Sequence, residues 1–179
     1  NAPFAQVAVV WAKDETGRIH GLIVERGMEG FTTPETLNIW SLRASATGEL
    51  IFDNVKVPAT HLLGEEGHGF MIAMKVFDRS RPGTSAGALG VARRALDESV
   101  NYAKTRMAMG KPIWQHQAIG HMVADMAIEL EAARLLVWKA AWAIDAGVRN
   151  TTAAAFAKAF AADTCMKITT NAVQVFGGY

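Results

Sequence analysis

Eight residues have types and spacing that could do chemistry. Asp78 and Arg81 stand three apart in "FDRSRP", Arg106 closes a long helical pattern, His116 and Gln117 adjoin in "WQHQAI", and Gln174, Gly177 and Gly178 make up a Gln-x-x-Gly-Gly. A guanidinium offers a planar fork of donors that suits phosphate oxygens, and paired glycines let backbone approach a ligand that a side chain would block. Each feature also has a plain structural explanation. Asp78 and Arg81 at helical i, i+3 spacing make a surface ion pair worth a few tenths of a kcal/mol, about 0.2–0.5. Arg106 suits the negative end of a helix, and Gly-Gly after an apolar helical run is a common way to stop it. His116 and Gln117 suit the exposed start of the next helix.

Other chemistries are excluded on pattern. His116 and His121 are five apart, which places them on different helix faces, and no Cys or carboxylate cluster completes a ligand set, so no metal site is expected. There is no nucleophile elbow, phosphate-loop Gly-Lys-Ser/Thr or strand-linked Gly-x-Gly-x-x-Gly. Gly83, Gly87 and Gly90 lie inside helical periodicity, where close helix packing is the expected use. The lone Cys165 cannot form an internal disulfide and fits a reducing compartment. With 18 basic and 17 acidic residues interspersed, the net charge of +1 creates no field for nucleic acid or an anionic membrane. No signal peptide or membrane-spanning run is visible, so no membrane insertion is expected.

The elements that must position these residues fall into two textures. Of 179 residues half are apolar, enough for a packed core. Residues 1–65 read as strands: "FAQVAVVWAK" and "IHGLIVER" form an antiparallel pair about Asp14–Gly17, and "GELIFDNVKVP" places Leu50 and Phe52 on one face, then Val55 and Val57 in a second alternation, with Asp53-Asn54 as a turn or bulge. The segment "GMEGFTTPETLNIW" reads as a loop. Residues 66–179 switch to a period of about 3.6 and predict three long helices. The first spans about Phe70 to Arg106, with a kink or break expected at Pro82-Gly83. The second follows Trp114 and carries a stripe of Ile119, Met122, Val123, Met126, Leu130, Ala133 and Val137, ending near Gly147 and Asn150. The third spans Thr151 to Phe176, with Thr151 as its N-cap. The fold class is α+β: a partial antiparallel β-domain followed by a long-helix bundle, incomplete at both ends.

Several motifs in order resemble the acyl-CoA dehydrogenase family. "SLRASATGELIFDNVKVP" is similar to the end of that family's middle β-domain, "GHGFMIAMKVFDRSRPGTSAGALGVARRALDESVNYAKTR" to its first long C-terminal helix, and "MGKPIWQHQAIGHMVADM" and "NAVQVFGGY" follow in the family's order. The strand-rich part, with "GFTTP", is closest to the glutaryl-CoA branch and the helical part, with "FDRSRP", to medium-chain enzymes. The resemblance implies FAD-dependent α,β-desaturation of an acyl-CoA thioester, with a glutamate taking the α-proton and the flavin the β-hydride. It implies that Asp78 and Arg81 contact the CoA portion of the substrate. Arg106, His116, Gln117, Gln174, Gly177 and Gly178 are implied to bind FAD, some of them across a subunit interface. A homo-oligomer, dimer or tetramer, and an electron-transferring flavoprotein as acceptor are implied with it, in a bacterial cytoplasm or a mitochondrial matrix. Met109 stands where the family commonly has phenylalanine. Ser80 stands where the isovaleryl branch carries its glutamate, and no catalytic residue is identified in the chain; the base of the other branches is expected beyond Tyr179. A non-catalytic assembly module and a flavin oxidase or monooxygenase remain as alternatives.

Overall fold

The computed structural model describes every residue from Asn1 to Tyr179. The chain forms two units, Asn1–Lys75 and Val76–Tyr179, with their boundary inside the first long helix. The α+β class is what the sequence predicts.

In the first unit, β1 (Val7–Lys13) and β2 (Ile19–Glu25) pair antiparallel in a register running from Val7 opposite Glu25 to Lys13 opposite Ile19. Their link is a polar knot. One Asp14 oxygen, Oδ1, accepts from the Thr16 hydroxyl at 2.7 Å and from the Thr16 and Arg18 backbone amides at 2.9 and 3.0 Å. The other, Oδ2, accepts from Arg18 Nε at 3.0 Å and faces His20 Nε2 at 2.9 Å. The backbone N–H of Gly67 donates to His20 Nδ1 at 3.2 Å, so the ring proton is on Nε2 and donates to Asp14. A carboxylate with this many donors is a better acid than usual, and the Thr16 hydroxyl first, then His20, holds Asp14 well below the ordinary carboxylate range.

Two short strands, β3 (Phe31–Thr32) and β4 (Ile51–Phe52), pair antiparallel, and the opposed Phe31 and Phe52 rings stack 5.0 Å apart. The region expected to be loop thus contributes a strand at Phe31. Asn54, at φ 53°, makes the turn expected at Asp53-Asn54, and the Asp53 N–H donates to Gly30 O. The alternation at Val55 and Val57 forms no strand, because no neighbouring strand supplies a ladder there.

In the second unit, α1 (Gly69–Thr105), α2 (Gln117–Asp145) and α3 (Thr151–Phe176) pack around one core. The stripe read from the sequence divides: Met126, Leu130, Ala133 and Val137 of α2 are buried with Ala157, Ala161 and Ile168 of α3 and Leu89 and Ala92 of α1. Ile119, Met122 and Val123 instead flank a smaller cluster of Ala103, Ile113 and Val175. Fully buried alanines on both α2 and α3 allow their backbones to approach closely, as ridge-into-groove packing requires.

The turns between helices are specified locally. Between α1 and α2 the chain makes the hairpin of β5 (Met107–Ala108) and β6 (Lys111–Pro112), and its two turn residues, Met109 and Gly110, have φ of 51° and 78°. That is a type I′ turn. After α2, Gly147 at φ 67° donates to Ile144 O and Val148 donates to Ala143 O, the paired bonds of a Schellman stop.

Three helical expectations are corrected. α1 passes Pro82 without a break. The N-cap position of α3 is Asn150 rather than Thr151, and it makes no side-chain cap bond. The glycines at 83, 87 and 90 do not mediate close packing, since a Cβ at any of them would meet nothing within 4 Å.

The Asp14 knot has a definite pH signature. Its folded-state pKa is depressed, so its stabilisation is complete above the unfolded value of about 3.9 and is lost as pH falls towards the lower folded value. Asp14→Asn should therefore lower the thermal midpoint at pH 7, and its gap from wild type should narrow below about pH 4. A gap that stays constant from neutral to acid pH would show that the charge is not what stabilises the turn.

Candidate functional site

Asp78 lies on α1 four residues before Pro82. In an α-helix the N–H at position 82 would donate to the Asp78 carbonyl, and proline has none. The Asn150 amide takes its place: Nδ2 donates to Asp78 O at 2.9 Å and lies 3.5 Å from Ala140 O. Because both neighbours of Nδ2 are carbonyls, the amide orientation is determined. The next residue, Thr151, donates its hydroxyl to Asp78 Oδ2 at 2.6 Å. This tertiary donor is the reason α1 continues where the sequence predicts a break.

The expected ion pair between Asp78 and Arg81 is loose. Arg81 Nη1 is 3.9 Å from Asp78 Oδ1, beyond hydrogen-bond distance, and its guanidinium carbon sits 5.4 Å from the centroid of the Phe77 ring. Asp78 Oδ1 is buried without a partner, as is Asn150 Oδ1. Ser80, between them in sequence, is exposed.

The other six residues gather at the opposite end of α1. Arg106 follows the last residue of α1; its N–H donates to Tyr102 O, and its carbonyl accepts from Ile113 N–H. Its guanidinium is exposed and has no carboxylate within ion-pair distance. His116 is tied to the hairpin by Nε2, 3.1 Å from Ala108 O. A carbonyl only accepts, so Nε2 carries a proton there, and Nδ1 has no hydrogen-bond partner. Gln117, next to it, is the first residue of α2 and is exposed.

The end of α3 reaches the same corner. Val175 packs with Ala103 and Ile113, and the Phe176 ring stacks on Tyr102 at 4.4 Å, with Tyr179 edge-on to both. Tyr102 also accepts the Arg106 amide, so Gln174, Gly177 and Gly178 are brought to the Arg106 and His116 corner. All three are exposed. Gly177 stops the helix at φ 62°, ψ −131°, a conformation that side-chain-bearing residues avoid. Gly178 needs no such conformation, and a Cβ there would meet nothing within 4 Å. The corner has the makings of an anion site: a guanidinium without a carboxylate partner, the amide side chains of Gln117 and Gln174, and bare backbone.

The two groups are not brought together. Asp78 and Thr105 are 27 residues apart on one continuous helix, which at 1.5 Å per residue is about 40 Å. Reading the sequence alone missed Asn150 and Thr151, taken there as punctuation and a cap. The signal was present in Pro82, since a helical proline obliges some other group to pair with the carbonyl four residues back.

No three His, Cys, Asp or Glu side chains stand close enough to hold a metal ion, and no helix is long and apolar enough to cross a membrane.

Residues 67–179 match the family model for the acyl-CoA dehydrogenase C-terminal domain. The chain is 45% identical to a short-chain-specific acyl-CoA dehydrogenase of Megasphaera elsdenii, with all of this chain and 48% of that protein covered. It is 42% identical to the cyclohexane-1-carbonyl-CoA dehydrogenase of Geobacter metallireducens, again with full cover here and 48% there. Among solved structures, butyryl-CoA dehydrogenase from Megasphaera elsdenii superposes with a TM-score of 0.93 at 44% identity, over 100% of this chain and 48% of that one. The chain spans about half the length of the relatives it matches. With its β-rich unit, its three long helices and its C-terminal-domain sequence aligned throughout, the chain belongs to the acyl-CoA dehydrogenase family.

Proposed function

We propose that this chain serves FAD-dependent acyl-CoA dehydrogenation, with Arg106, His116, Gln117, Gln174, Gly177 and Gly178 holding the cofactor and Asp78 and Arg81 contacting the CoA part of the substrate. The observation that carries this reading is the corner where three separate segments deliver an unpaired guanidinium, a free imidazole nitrogen and a glycine with open space around it. Nothing else in the chain makes use of those groups. Bound FAD would supply a two-electron acceptor for the hydride leaving the acyl β-carbon. The chain's own share is binding and orientation: Arg106 is suited to a pyrophosphate, and bare backbone at Gly177-Gly178 admits a flat or anionic group closely. No residue here is assigned as the base that removes the α-proton.

The separation of about 40 Å along α1 supports a homo-oligomer, because one copy of this chain offers its substrate residues and its cofactor residues at remote ends. A shared site would join the substrate end of one copy to cofactor contacts from another. The exposed face of α2 supports the same reading: Ile128, Leu135, Trp138 and Trp142 form a stripe opposite the buried one, with the two tryptophans 61% and 63% exposed. In this proposal the assembly is a dimer or tetramer, the electron acceptor is an electron-transferring flavoprotein, and the setting is a bacterial cytoplasm or mitochondrial matrix.

Purified protein should show the visible absorption of an oxidised flavin, and the flavin bands should shift on binding of butyryl-CoA or cyclohexane-1-carbonyl-CoA. A colourless protein that binds neither would overturn the assignment. At the cofactor corner, Arg106→Ala should lower retained FAD several-fold with little change in melting temperature. The two glycines should separate: Gly177→Ala should destabilise the fold by about 1–3 kcal/mol through its strained φ, whereas Gly178→Ala should leave stability alone and reduce FAD content. Full flavin occupancy in Gly178→Ala would remove that residue from the site. Trp142→Glu should shift the assembly to smaller species by light scattering, and an unchanged mass would place α2 outside any interface between copies.

A further inference from the structure

We propose that Thr151 and Asn150 are positioning residues for substrate recognition, acting through Asp78; this rests on the reading of Asp78 and Arg81 as the CoA contact. Two consecutive residues at the start of α3 hold one residue of α1 at both its backbone and its side chain. Asn150, only 6% exposed, supplies the hydrogen that Pro82 cannot give to the Asp78 carbonyl. Left unpaired in that setting, the carbonyl would favour unwinding of the turn that carries Asp78 and Arg81. Thr151 then selects the carboxylate orientation. Its hydroxyl engages Oδ2 at 2.6 Å, which commits one oxygen and turns the other, Oδ1, towards Arg81 at 3.9 Å.

The consequence is an asymmetric carboxylate. Oδ2 is spent inside the protein, while Oδ1 is the oxygen with no partner and the one facing the Arg81 guanidinium. Because Oδ1 is buried, the group placed to satisfy it is the Arg81 guanidinium, by a small movement that would at the same time fix the guanidinium for the acyl-CoA. Without the Thr151 hydroxyl the carboxylate is free to rotate about its terminal torsion, which is broad for aspartate, and the Oδ1–Arg81 geometry is no longer specified. Asn150 thus holds the backbone, and Thr151 sets which oxygen faces Arg81 and so where the guanidinium is held.

The test uses the purified flavin-loaded protein and the tighter-binding of butyryl-CoA and cyclohexane-1-carbonyl-CoA, with affinity read by equilibrium dialysis without an electron acceptor. Thr151→Val removes the hydroxyl at nearly constant shape, and Thr151→Ser restores it. Thr151→Val should weaken acyl-CoA binding roughly tenfold, about 1.4 kcal/mol, with flavin content unchanged, while Thr151→Ser stays within about twofold of wild type. The pair Asp78→Asn and Thr151→Val should be no weaker than Asp78→Asn alone, because both act through one carboxylate. Thr151→Val with wild-type affinity, even with a lowered melting temperature, would overturn the inference and leave Thr151 a purely structural contact. If Asp78→Asn itself binds acyl-CoA as wild type does, the assignment of Asp78 to substrate is what fails. If Asp78→Asn weakens binding and Thr151→Val does not, that assignment stands and only the positioning role is lost.

Discussion

A missing hydrogen at Pro82 links α1 and α3. The Asp78 carbonyl needs a donor that its own helix cannot supply, and Asn150 reaches it from the residue before α3. That one bond lets α1 run 37 residues without interruption, and it fixes where α3 begins relative to α1. The Schellman stop at Gly147 turns the chain so that Asn150, five residues after the end of α2, reaches this point. Turn chemistry, a helical proline and a buried amide therefore act as one unit, and Asp78 and Arg81 sit on it.

A long unbroken α1 has a second effect. It spaces Asp78 from Thr105 by about 40 Å, and the alanine-lined core shared with α2 and α3 packs against it between those points. Full burial of a side chain such as Ile168 contributes about 1.5–3 kcal/mol, and the small residues around it let three helices share one core. Each end is then completed by short local structure. The type I′ hairpin folds the chain back so that His116 meets Ala108, and the aromatic stack of Tyr102 and Phe176 holds the end of α3 against it.

The features legible in the sequence were those that depend on neighbours along the chain. The β1–β2 hairpin, the three helical spans and the Gly147 stop follow from alternation, helical period and a glycine at the position that needs positive φ. Where partners lay far along the chain, the same reasoning went astray. Val55 and Val57 have strand alternation but no strand beside them, and Gly83, Gly87 and Gly90 face open space where packing was expected. Pro82 predicts a kink or break, and the break does not occur because a replacement donor comes from 68 residues away in Asn150.

The sequence by itself determined the elements and the chemical inventory: which residues could form ion pairs, bind an anion or stop a helix. Only the tertiary structure decided which of them meet. It placed Arg106, His116 and Gly178 at one corner and Asp78 with Asn150 and Thr151 at the far end, and it left Arg81 short of hydrogen-bond contact with Asp78. The physical reason is range: dihedral preferences and periodicity act within a few residues, whereas the pairing of a buried carbonyl or carboxylate depends on whatever the packed core brings beside it.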